Sequence, residues 1–336
     1  CSGSATKNNE LKNTKVVVTG VTGFVGSWVT KLLLEEGNYK VRGTVRDPNN
    51  QEKLEPLKKA FGDKFNELEL VAADLNDQKS LEEAVKGCSY LFHVASPFPI
   101  GEPKDPKDVI DPAVNGVKFA MNAAIKAGLK KVILTSSCVC VYDYGSGATE
   151  VDEKSFTAIG DYTDTYSKSK ILAEQAAWKI WEENKGKIEL VTINPCLIIG
   201  PPLIMKGFTS GDIVKAILLG GMPELMQMYV NWVDVREVAA AHLKAVNAKD
   251  GNRYIIAGEN YKMKEISVML KEWYGQYGYN VVTEESSQEY PFSKKQNANN
   301  KKSQSELGIK YRPIKESLTD MIETMIRNNL VPDLKK

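Results

Sequence analysis

Histidine is nearly absent, with only His93 and His242 in 336 residues. The five cysteines, Cys1, Cys88, Cys138, Cys140 and Cys196, include no C-x-x-C pair. So few imidazoles and no paired thiols leave little from which to build a zinc site, and no metal is expected. An odd, scattered set is also a poor disulfide framework. Cys88, Cys138 and Cys196 read as small core residues in a reducing compartment. Net charge is lacking too: 44 basic and 43 acidic residues leave +1. That balance offers no pull on nucleic acid or on an anionic membrane. No apolar run approaches the roughly 18 residues of a spanning helix, so no membrane insertion is expected. The expected location is the cytoplasm, or an organelle if a targeting segment preceded Cys1. Residues 1–14 are polar and read as a tail outside the fold.

What the chain does have is a glycine turn, in Lys15 to Val29 (KVVVTGVTGFVGSWV). Val16 to Val18 form a β-branched run suited to a buried strand. An apolar helical pattern starts near Phe24 and continues through Val29, Leu32, Leu33 and Leu34. Gly20, Gly23 and Gly26 lie between them, spaced G-x-x-G-x-x-G. Such a turn lets backbone approach a pyrophosphate and aims a helix N-terminus at it.

Strand and helix patterns then alternate. Strands are expected at Lys40–Val45, Leu68–Ala72, Tyr90–Ala95, Lys131–Thr135 and Glu189–Ile193. Helices are expected around Leu54–Phe61, Leu81–Val85, Val109–Ala127 and Tyr166–Glu183. This alternation predicts an α/β fold, a doubly wound parallel sheet of the Rossmann type. Past Pro195 the pattern loosens. Helices are expected near Asp212–Leu219, Val235–Val246, Lys264–Tyr274 and Ile314–Arg327. Short strands are expected at Tyr229–Val233, Tyr254–Ile256 and Val281–Val282. This half reads as a smaller, mostly helical C-terminal cap without a continuous sheet. The expected division is 15–195 for the dinucleotide-binding unit, with 229–257 returning to it, and 196–228 and 258–333 for the cap. Ser293 to Ser303 is polar and reads as a solvated loop.

Two constellations carry chemistry. After the second strand stands Arg46, with Lys53 in the next helix, where NAD sites usually place an acidic residue. A guanidinium suits a ribose 2′-phosphate, which favours NADP(H) over NAD(H), unless these are ordinary surface charges. Tyr166 and Lys170 lie at i and i+4 on one helical face. A nearby ammonium is expected to lower the phenol's pKa. Such a Tyr can give a proton to a carbonyl oxygen, and Ser137, ending the fifth strand, can polarise the same oxygen.

With these residues in place, the chain resembles the extended short-chain dehydrogenase/reductases. It is most similar to the dihydroflavonol reductase, cinnamoyl-CoA reductase and methylglyoxal (aldehyde) reductase group. The landmarks include VTGVTGFVGSW (18–28), VRGTVRDP (41–48), FHVASPF (92–98), LTSS (134–137), YSKSKILAEQAAW (166–178) and WVDVREVAAAHL (232–243). The resemblance implies that Gly20, Gly23, Phe24, Val25 and Gly26 form the dinucleotide turn, and that Arg46 and Lys53 hold the 2′-phosphate. It places Asp74 and Leu75 at the adenine and Val94, Ala95 and Ser96 along the fourth-strand cofactor edge. Pro195 and Leu197 fall at the nicotinamide wall, and Ser137, Tyr166 and Lys170 match the catalytic triad. His93, His242, Asp234 and Glu237 lie in framework motifs and are assigned to local structure. Cinnamoyl-CoA reductases carry Asn-Trp before the catalytic Tyr, where this chain has Asp164-Thr165, which weighs against a lignin-type CoA ester.

The resulting expectation is an NADP(H)-dependent reductase of an aldehyde or ketone, acting on a small-molecule carbonyl as a monomer or homodimer. Substrate-pocket candidates are Phe98, Pro99, Ile100, Tyr142, Leu203, Ile204, Met205, Met226 and Met228. The alternatives are an NAD-dependent nucleotide-sugar epimerase or dehydratase, and a structural subunit that keeps a nucleotide site.

Overall fold

The computed structural model of the protein describes residues 12–96, 103–143, 145–205 and 208–335. The chain opens with β1 (Thr14–Val18), α1 (Phe24–Glu36) and β2 (Tyr39–Val45). Next come α2 (Gln51–Phe61), β3 (Leu68–Ala72), α3 (Gln78–Val85) and β4 (Tyr90–His93). Then follow α4 (Lys107–Lys126), β5 (Lys131–Thr135), a two-residue β6 (Glu150–Val151), α5 (Thr165–Glu183) and β7 (Glu189–Pro195). The remaining chain forms β8 (Leu197–Ile199), α6 (Thr209–Leu219), β9 (Tyr229–Asp234), α7 (Val235–Ala245) and β10 (Asn252–Ile256). It ends with β11 (Asn260–Lys262), α8 (Met263–Tyr274), β12 (Asn297–Ala298), α9 (Lys301–Leu307) and α10 (Ile314–Arg327).

Seven strands form the main sheet in the order β10-β7-β5-β4-β1-β2-β3. Every pairing in it is parallel. The chain leaves β1 in one direction to β2 and β3 and in the other to β4 and β5. The strand order therefore reverses between β1 and β4, which opens a crevice beyond their carboxyl ends. Both faces are covered, which explains the unbroken valine run of β1. Val16 and Val18 pack with Val29 and Leu33 of α1 and Val238 of α7. Val17 points the other way, among Leu81, Met121 and Ala124. Each such side chain contributes about 1.5–3 kcal/mol by burial.

Beyond Pro195 the chain builds a second apolar cluster from α6, α8 and α10, including Val214, Ile217, Ile266, Leu270, Leu318 and Met321. A three-stranded sheet, β11-β9-β8, accompanies it. That corrects the expectation of a cap with no continuous sheet; its strands are only three to six residues long, too short for a clear period-2 signal. Within 229–257, β9 joins this small sheet and β10 joins the main one.

Two further expectations fail. Val281 and Val282 are buried but form no strand; Val282 N donates instead to Ile217 O of α6. Ser293 to Ser303 is not simply solvated. Gln296 is buried, and its amide donates to Asp143 O (2.9 Å) and Ala148 O (2.7 Å). The adjacent β12 pairs in parallel with β6. Buried amides with saturated hydrogen bonds are compatible with a polar sequence, so composition alone could not separate the two cases.

Candidate active site

The glycine turn sits at the crevice. Gly20 has φ +71, and a Cβ there would lie 2.9 Å from Ala95 Cβ. A Cβ on Gly26 would lie 2.1 Å from Gly20 O. Gly23 N donates to Gly20 O at 3.0 Å, and α1 begins at the next residue. The first turn of α1 holds no acidic residue, and no side chain caps it. Its N-terminal N–H groups therefore face the crevice with a favourable dipole for an anion.

Thr19 holds the two sides of this crevice together, and the sequence reading missed it. Its Oγ1 accepts from Val94 N and Ala95 N, both at 3.0 Å, and lies 3.1 Å from His93 Nδ1. The end of β1 is thereby pinned to the end of β4, where the strand stops at His93 rather than at Ala95. Burial pushes His93 down to about 4, so it stays neutral. His242 is also driven to about 4 by burial; its ring lies 2.7 Å from both Thr135 Oγ1 and Val238 O.

On the rim, Arg46 and Lys53 are exposed, and neither side chain is paired among the described residues. The neighbouring carboxylate, Asp47, is engaged locally by Asn49 N at 2.9 Å. Asp74 is also a turn residue, accepting from Asn76 N at 2.8 Å. Leu75, Ala95, Ser96 and Lys170 line one narrow cleft. Val25 and Val94 pack half-buried against the core cluster of β1. Phe24 turns toward the second cluster, its ring 5.5 Å from that of Phe208. Pro195 closes β7, and Leu197 lies against the second cluster.

Helix α5 carries Tyr166 and Lys170. Asp164 caps it, accepting from Ser167 N at 2.9 Å. Ser137 follows β5, is buried, and stands beside the Tyr166 phenol, whose ionised form its hydroxyl favours. Lys170 Nζ stands 6.0 Å from the centroid of the Tyr166 ring. The expected lowering of the phenol does not occur here. Burial drives the Tyr166 pKa upward, with only Ser137 among its main influences opposing. Burial also pushes Lys170 down to about 8. Desolvation of the half-buried phenol outweighs an ammonium held at that distance.

Among the substrate-pocket candidates, Tyr142 is 2% exposed. It is buried in a core cluster, with its hydroxyl 3.7 Å from Cys196 Sγ and 3.4 Å from Asn231 Oδ1. Ile204 is buried, Leu203 packs on the β1 core, Met228 packs on the second cluster, Met205 is half-buried and Met226 is 47% exposed. Phe98, Pro99 and Ile100 lie outside the described residues. Asp234 and Glu237 serve local structure: Asp234 caps α7 through Arg236 N, and Glu237 pairs with Arg312. The described cysteines, Cys88, Cys138, Cys140 and Cys196, are buried and free. Among the described residues no cluster suited to a metal occurs, and no helix is long and apolar enough to cross a membrane.

Residues 16–258 match the model of the NAD dependent epimerase/dehydratase family. The chain belongs to this family. Within it, the protein is 36% identical to cinnamoyl-CoA reductase 2 of Arabidopsis thaliana over 324 residues, covering 94% of each chain. It is also 36% identical to an anthocyanidin reductase of Vitis vinifera over 291 residues, covering 81% of this chain and 84% of the relative. A solved structure of the yeast methylglyoxal/isovaleraldehyde reductase complexed with NADPH superposes with a TM-score of 0.80 at 30% identity, over 94% of this chain and 99% of that one. These relatives fall in the group that the motifs pointed to.

Proposed function

We propose that this family member is an NADP(H)-dependent reductase of an aldehyde or ketone. One observation carries the reading. The Ser137 hydroxyl meets the Tyr166 phenol beside a buried Lys170, at the crevice that holds the glycine turn. The reductase names of the relatives, and the NADPH in the yeast structure, support it.

The residues fit a dinucleotide. The backbone at Gly20 and Gly26 leaves a concavity that a Cβ would fill. The N-terminus of α1 has no competing carboxylate in its first turn. Arg46 and Lys53 stand exposed beyond β2 to take a 2′-phosphate. When bound, NADPH supplies the hydride.

The chain's own groups do the rest. Ser137 donates a hydrogen bond to the substrate carbonyl oxygen and polarises it. Tyr166 gives its proton to that oxygen as negative charge develops. A phenol kept protonated by burial is already in the state that an acid needs. Lys170 holds the cofactor ribose and biases the phenol's electrostatics. Thr19 fixes Ala95 against Gly20 and so shapes the cofactor edge.

A screen of small aldehydes, ketones and diketones with NADPH and NADH, followed by absorbance, tests the reading. Stoichiometric oxidation of NADPH is the expected result. An epimerase recycles its cofactor, so activity on a nucleotide sugar without net NADPH consumption would overturn it.

A further inference from the structure

A buried ionic cluster lies directly behind these residues. Glu174 is on α5, one turn beyond Lys170, and is 3% exposed. Its Oε1 accepts from Arg253 Nε at 2.7 Å and Trp178 Nε1 at 3.0 Å. Its Oε2 accepts from Asn194 Nδ2 at 2.7 Å and from Ser136 Oγ. Both oxygens are thus fully used inside the protein. A buried pair of this kind is seldom the most stabilising filling for a core, because desolvation offsets the attraction. A role in fixing geometry would explain its presence better.

The cluster's outer bonds converge on one segment. Asn194 Nδ2 also donates to Ser137 O at 3.1 Å. Arg253 donates through Nη2 to Cys140 O at 3.1 Å. Ser136 reaches Glu174 directly. Residues 136, 137 and 140 are therefore each tied to Glu174, by one bond or through one intermediary. Arg253 also donates through Nη1 to Glu153 O (2.9 Å) and Ser155 O (2.6 Å), in the loop that leads into α5. Glu174 shares α5 with Tyr166 and Lys170, so the cluster connects the helix of the acid to the segment of the polarising serine.

We propose that Glu174 is a positioning residue: with Ser136, Asn194 and Arg253 it clamps the Ser136–Cys140 segment to α5 and sets the approach of the Ser137 hydroxyl to the Tyr166 phenol. The inference rests on the reductase reading above. It goes beyond that reading by assigning reaction geometry to four residues outside the Ser137, Tyr166 and Lys170 set.

The test compares Glu174→Gln, Ser136→Ala and Tyr166→Phe with the parent protein. Each is assayed for kcat per folded molecule, for NADPH dissociation constant by cofactor fluorescence, and for thermal midpoint. Glu174→Gln is expected to lower kcat by about tenfold or more, since small misplacements of reacting groups are costly. Ser136→Ala removes the bond to Glu174, together with a 3.3 Å contact to Cys140 Sγ, and leaves the Glu174–Arg253 pair intact; it is expected to lower kcat roughly fivefold, about the worth of one hydrogen bond. The NADPH dissociation constant is expected to stay unchanged in both. If Glu174→Gln does not fold, Ser136→Ala decides. A lower thermal midpoint with kcat unchanged would make the cluster purely structural and overturn the clamp. An equal loss of NADPH binding would do the same. Loss of turnover in Tyr166→Phe alone would overturn only the clamp; full turnover in Tyr166→Phe would overturn the reductase mechanism itself.

Discussion

Thr19 Oγ1 accepts the backbone N–H of Ala95 at 3.0 Å, and Ala95 in turn lies where a Cβ on Gly20 would have to go. One hydroxyl thus locks two strand ends into contact, and the glycine is required by that contact as much as by its own φ. Thr19→Val keeps the shape and removes the acceptor. It leaves Val94 N and Ala95 N without their partner, at a cost of about 1–3 kcal/mol for each buried group. The expected outcome is a lower urea midpoint together with weaker NADPH binding. Unchanged values for both would show that the bond is incidental.

Gly26→Ala tests the floor of the same turn. The new Cβ falls 2.1 Å from Gly20 O, a backbone atom that cannot swing aside. Overpacking of this kind costs about 1–3 kcal/mol, and relief must come from opening the turn. NADPH binding, read by fluorescence titration, should weaken severely while far-ultraviolet circular dichroism stays close to the parent's.

Tyr166→Phe removes the proposed acid and keeps the ring. Turnover should fall by roughly two to four orders of magnitude, the usual contribution of such a group. Steady-state kinetics at saturating NADPH make the measurement.

Arg46→Ala removes an exposed guanidinium that has no competing partner among the described residues. Bonds to charged groups contribute about 1.5–3 kcal/mol, so the KM for NADPH should rise about tenfold to a hundredfold. The KM for NADH should hardly move. Equal effects on both cofactors would remove Arg46 from the 2′-phosphate.

Lys170 gives a pH signature. Its pKa is 10.5 in ordinary surroundings and about 8 when buried here. Between those values the unfolded chain binds a proton that the folded chain does not. Stability therefore gains as pH rises through the window, and that gain is lost as pH falls through about 8. The buried charge costs up to roughly 3 kcal/mol at and below that point. Denaturant unfolding of the cofactor-free protein and Lys170→Met should show the variant's advantage shrinking from pH 8 to pH 10.5. Parallel curves would refute it.

Much of this was legible in sequence because the signals were local. Leu68–Ala72, Lys131–Thr135 and Ile314–Arg327 occur with the bounds expected of them. The G-x-x-G-x-x-G spacing and the i, i+4 pair of Tyr166 and Lys170 needed only neighbours in the chain. What stayed hidden depends on distant partners. Thr19 meets residues some 75 positions away, Glu174 meets Arg253 across 79, and Gln296 is buried by carbonyls of a loop about 150 earlier. The Tyr166 phenol was misjudged for the same reason: the charge beside it was visible in sequence, while the desolvation around it was not.

The last strand of the main sheet arrives late. β10 pairs with β7 across an intervening stretch that holds β8, α6, β9 and α7. During synthesis, a nascent chain that has cleared the ribosome only through Pro195 would expose β7 as an open, apolar edge. Exposed edges of that kind recruit other chains. Chaperone demand for this protein should therefore peak in the interval between the emergence of Pro195 and the emergence of Ile256 from the ribosome, and a stall within it would be the most hazardous place to pause.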